Sequence, residues 1–144
     1  MYHPWRRFRG LARWTLTQTT LPGDLAGLTI WPAGVVALDC RLSQVERRCT
    51  ICHELVHIER GPVPDDDRLA AREESTVERE VARRLIELQP LGEALAWSRH
   101  ISEAADALWV TEDVLRVRLE HLQPSERIYL SDRLAFREQC EEIT

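Results

Sequence analysis

The chain has 144 residues, 44% of them hydrophobic and 30% charged, with a formal net charge of −5. This length suits one ordinary domain with a buried core, and the apolar content excludes general disorder. The charge excludes a uniformly basic nucleic-acid binder: residues 1–60 carry 8 Arg against 5 acids, and residues 61–144 carry 11 Arg against 19 acids.

Every one of the 19 basic residues is Arg, and Asn is absent as well. Both gaps follow most simply from G+C-rich codons, and the missing Asn removes any N-glycosylation acceptor. The longest apolar stretch, Leu25 to Leu38, is broken by Pro32 and falls short of the roughly 20 residues a membrane span needs. The Arg-rich start is followed by no uninterrupted apolar run or small-residue cleavage site, so it does not read as a signal peptide. A cytoplasmic protein is expected, with Cys40, Cys49, Cys52 and Cys140 as reduced thiols.

In chain order, residues 1–42 read as strands joined by short turns. Trp14 to Thr19 alternates and is β-branched, Pro22-Gly23-Asp24 signals a turn, and Gly27 to Trp31 and Val35 to Asp39 follow on either side of Pro32-Ala33-Gly34. A small antiparallel sheet is expected there. Ser43-Gln44-Val45-Glu46 then forms a capping box opening a helix that should run to about Arg60, where Gly61-Pro62 stops it. A second helix is expected from near Asp66 to Leu88, ended by Pro90. Shorter helices should cover about 91–100, 101–108 and 112–122, with amphipathic turns after Pro124. The fold class is α+β: a β-rich part (1–42), a helical core (43–122) with the chemistry on its first long helix, and a helical extension (123–144), all within a single domain.

That chemistry is His53-Glu54-Leu55-Val56-His57, an H-E-x-x-H motif. At about 100° per residue, the two His lie one turn apart on the same face, so both imidazoles can reach one metal ion. Glu54 points elsewhere and can act as general base on a water beside the metal without being a ligand. An overlapping motif, Cys49-Thr50-Ile51-Cys52-His53, matches a c-type haem attachment signature. Haem is set aside because no export signal is visible and Met1 is the chain's only Met. Cys49 and Cys52 read instead as small buried helix residues.

A catalytic zinc usually takes three protein ligands and one open position, and no third His follows at short spacing. The natural candidate is a Glu from the second helix. Val77, Val81, Leu85 and Leu88 form its apolar stripe. At helical spacing Glu74 falls near the centre of that stripe and Glu78 at its edge, while Glu73, Glu80 and Glu87 point away. A carboxylate in line with a core stripe requires a partner, so Glu74 is taken as the third ligand and Glu78 as the group that orients a ligand His. Phase alone leaves the exchange of these two roles open.

The chain resembles the ImmA/IrrE family of metallopeptidases over about residues 27–122. Three blocks carry the resemblance: Arg48 to His57 preceded by the strand Val35 to Asp39, the second helix, and Ala104 to Thr111 continuing through Leu115 to Leu119. It implies a zinc-dependent peptidase with ligands at His53, His57 and a second-helix Glu, and with Glu54 catalytic. It also implies a protein substrate, its better-known relatives cleaving helix-turn-helix repressors of mobile elements or stress responses. Three departures stand out: Val56 where Gly is frequent, Glu78 where Asn or Asp is common, and Ile86 to Pro90 in place of a Met-Pro ending. They sustain a second expectation, a metal-binding regulatory module of weak or no activity that binds a partner protein. Residues 101–122 also read as a helix-turn-helix, but Glu112, Asp113 and Glu120 make direct nucleic-acid binding unlikely on a phosphate surface. For the oxyanion donor, His100, His121, Tyr129 and several Arg are equivalent at this level.

Overall fold

The computed structural model describes the backbone of residues 1–143, and side chains everywhere except at 136, 137 and 139–144. The Cys140 thiol expected from the sequence lies outside the described residues. The chain forms two compact units, Met1–Val81 and Ala82–Thr144. Together the described residues make seven helices and one three-stranded sheet, an α+β fold.

The first unit opens with a helix where strands were expected: α1 spans Pro4–Arg9. Pro4 sits in its first turn, where a missing N–H leaves no helical bond unmade. Phe8 is buried in a cluster with Val36, Leu38 and Ile51, flanked by Trp5, Leu11, Trp14, Leu16 and Ile58. That aromatic anchoring is tertiary, which is why alternation rules missed it.

Three strands follow, β1 (Thr15–Thr19), β2 (Gly27–Ile30) and β3 (Val35–Asp39). Their order is β1-β3-β2. β2 runs antiparallel to β3, with Gly27 opposite Leu38 and Ile30 opposite Val35, whereas β1 runs parallel to β3 from Thr15–Val35 to Thr19–Asp39. The expected all-antiparallel sheet is therefore mixed. Successive strands still reverse direction, but β3 inserts between the other two, and two strands of like direction then become neighbours. The composition of β3 explains its place: Val36, Ala37 and Leu38 are all buried, as a strand covered on both faces requires. Gly34 closes the β2–β3 turn at φ 62°, and a Cβ there would lie 2.6 Å from the Arg13 carbonyl oxygen, so only glycine fits.

Helix α2 spans Gln44–Arg60 and begins at the expected capping box. The Glu46 amide donates to Ser43 Oγ at 3.1 Å, and the Ser43 amide donates to Glu46 Oε1 at 3.2 Å. It ends at Gly61, whose amide reaches the His57 carbonyl at 2.9 Å. Ile51, Cys52, Leu55 and Val56 are fully buried and Cys49 nearly so. Helix α2 is thus the central helix of this unit, packed on β2, β3 and α1, and Arg7 ties α1 to it by donating to Glu59 at 2.9 Å.

Helix α3 (Asp67–Leu85) follows a Pro- and Asp-rich loop in which Asp66 Oδ1 accepts the Leu69 amide at 3.0 Å. Val77, Val81 and Leu85 are buried, as the stripe requires. The helix ends at Leu85, earlier than expected, and Pro90 lies in the first turn of α4 (Leu88–Trp97). A proline that reads as a terminator for one helix serves equally as a starter for the next.

In the second unit α4 is followed by α5 (Ile101–Leu108), α6 (Glu112–Glu120) and α7 (Pro124–Ile143). Helix α4 packs on α5 and α7, and α5 packs on α6. Among its buried residues is an ion pair: Arg118 donates to both Glu126 oxygens and to the Ile86 carbonyl at 2.9 Å. The Arg118 guanidinium holds the Glu126 carboxyl well below its usual range, at about 2.

Candidate metal centre

All residues of the candidate centre belong to the first unit. On α2, His53 and His57 are one turn apart as their spacing requires, with ring centroids 4.8 Å apart and Nε2 atoms separated by 3.1 Å. The carboxylate of Glu74, on α3, closes on both: Oε1 is 2.7 Å from His53 Nε2, and Oε2 is 3.0 Å from His57 Nε2. Among the described residues this is the one group of three such side chains that could hold a metal ion.

The donors fit a divalent metal. Two imidazole nitrogens and a carboxylate are a typical catalytic zinc set, and donors about 2.0–2.1 Å from one tetrahedral centre stand about 3.3 Å apart. The observed 2.7, 3.0 and 3.1 Å separations lie a few tenths of an ångström inside that spacing. A small outward shift of each side chain would admit the ion. Glu78, one turn beyond Glu74, is exposed and stands outside the cluster. His57 Nδ1 is buried with no hydrogen-bond partner among the described residues, although ligand imidazoles usually donate their second N–H.

Glu54 is buried and turns toward β2. Thr29 Oγ1 donates to Glu54 Oε2 at 2.5 Å. A Cβ built on Gly27 would lie 2.9 Å from Glu54 Oε1 and 2.7 Å from Thr50 Cγ2. Gly27 and Thr29 are two residues apart on an edge strand, hence on one face. One leaves space for the carboxylate and the other supplies its hydrogen-bond donor. Neither residue was legible as part of the site. Period-two alternation places them together, but nothing in the sequence says that this strand lies beside the motif helix.

A second feature also escaped the sequence reading. Arg60, at the end of α2, holds Glu73 with two donors, Nε to Oε1 at 2.5 Å and Nη2 to Oε2 at 3.1 Å. That hydrogen bonding keeps the Glu73 carboxyl below its ordinary pKa and raises that of Arg60. Of the oxyanion candidates, His121 is engaged locally on α6, its Nδ1 lying 3.0 Å from the Val117 carbonyl.

Two histidines one turn apart and a carboxylate bridging them from the next helix are a donor set that could hold a metal ion, with Glu54 of the H-E-x-x-H motif next to His53 in the chain. The chain belongs to the metallopeptidase family described as the IrrE N-terminal-like domain, whose model matches residues 15–138. Comparison with curated proteins and with solved structures gives no match. Among the described residues no helix is long and apolar enough to cross a membrane.

Proposed function

We propose that the protein is a zinc-dependent endopeptidase acting on a protein substrate, with a helix-turn-helix repressor as the substrate class. The convergence of His53, His57 and Glu74 on one point carries this reading. Those three side chains would hold the ion. When bound, it supplies Lewis acidity, lowering the pKa of a water and polarising a carbonyl. Glu54 would take the proton of the attacking water and pass it to the leaving amine. Thr29 occupies one oxygen of Glu54, so the other serves as the proton acceptor.

The test is Glu54→Gln in zinc-loaded protein, mixed with a helix-turn-helix repressor that the wild type cleaves. The variant is expected to keep its zinc and lose cleavage. Retention of full cleavage would sink the general-base assignment. For the ligands, Glu74→Ala is expected to abolish stoichiometric zinc binding. Glu78 is exposed and outside the cluster, so Glu78→Ala is expected to leave zinc binding close to that of wild type.

One observation favours a second reading, a metal-holding module that binds its partner without cutting it. Glu54 is buried and already hydrogen-bonded. On this reading wild type and Glu54→Gln bind a repressor of that class equally well, and neither yields a product.

A further inference from the structure

The third ligand sits on a stretch of helix that packing alone does not hold in place. No residue of α3 before Val77 is buried, and α3 is separated from α2 by the loop 61–66. Glu74 lies in this exposed part, yet its two oxygens must meet rings on α2 within a few tenths of an ångström. Immediately beside it, Glu73 is gripped by both ends of the Arg60 fork, and Arg60 lies three residues beyond His57 on α2. Successive helical residues project about 100° apart, so Glu73 can face Arg60 while Glu74 faces the histidines.

We propose that Arg60 and Glu73 are positioning residues of the metal centre, a two-point clip that sets the distance and rotation of α3 so that Glu74 meets His53 and His57. The role rests on the zinc-site reading above. Bidentate guanidinium–carboxylate pairing fixes orientation as well as distance. Half-exposed pairs of this kind contribute little to global stability. The effect of the clip is local: it raises the fraction of zinc-free protein whose third ligand is already in place, and apparent metal affinity scales with that fraction.

The experiment is a zinc titration of the full chain against a chromophoric chelator, for wild type, Arg60→Gln, Glu73→Gln and the double variant. Thermal unfolding of each zinc-free protein runs alongside. Each single variant is expected to bind Zn²⁺ about threefold to fivefold more weakly at low salt, with its zinc-free unfolding midpoint unchanged. The double variant should be no weaker than either single one, because both remove the same contact. Added NaCl should weaken wild type more than Arg60→Gln, since a screened clip has less to lose once its charge is gone. Unchanged affinity in both single variants overturns the positioning role, as do additive losses in the double variant. A wild type that binds no zinc overturns the metal-site reading and this role with it, whereas zinc binding by wild type and by unaltered variants overturns this role alone.

Discussion

At the scale of single residues, the centre depends on small groups whose importance comes from what stands opposite them. Gly27 is an ordinary strand residue until Glu54 and Thr50 are placed against it. Gly27→Ala forces a methyl into contacts of 2.7 and 2.9 Å and is expected to destabilise the fold by about 1–3 kcal/mol in denaturant unfolding. Thr29→Val keeps the shape but removes the donor to Glu54. In the peptidase reading it lowers kcat about tenfold with KM unchanged, and Thr29→Ser, which keeps the hydroxyl, restores most of the rate. A Val variant with wild-type kcat would show that Glu54 needs no such support. The candidate donors were partly readable: the pentapeptide places His53 and His57 by helical repeat alone, whereas the Val77–Val81–Leu85 stripe left Glu74 and Glu78 exchangeable, and only the structure brings Glu74 to the two rings. Glu78, equally acidic and 40° further round by the same repeat, ends exposed, because a stripe edge becomes core only when a neighbour covers it.

At the scale of elements, the caps and stops were legible because they are local chemistry. Ser43 with Glu46, and Gly61 after Arg60, act within a few residues and depend on no distant partner. The buried pair of Arg118 and Glu126 is the opposite case: it joins α6 to α7 across eight residues, and nothing in either helix announces it. Its pH behaviour follows from the sign of the shift. Glu126 has a folded pKa of about 2 against a usual 4.5, so its contribution is fully present above pH 4.5. That contribution is lost as pH falls toward 2. Acid unfolding followed by circular dichroism should therefore show wild type losing its advantage over Glu126→Gln across that window. At neutral pH, Arg118→Ala, which strands the buried carboxylate, should cost about 3 kcal/mol.

At the scale of the whole molecule, the net charge of −5 and the acidic second half argue against a phosphate surface, and membership of a peptidase family suggests a protein substrate instead. What the amino-acid order determined by itself is the part governed by short range: helix and strand identity over most of the chain, the paired histidines, and the phase of Glu74. Tertiary structure alone decided the insertion of β3 between β1 and β2, the helix at Pro4–Arg9, the Gly27–Thr29 slot around Glu54, and the grip of Arg60 on Glu73. The physical reason is the same in each case. A periodic pattern tells a side chain which way to face, and only the packed chain determines what it faces.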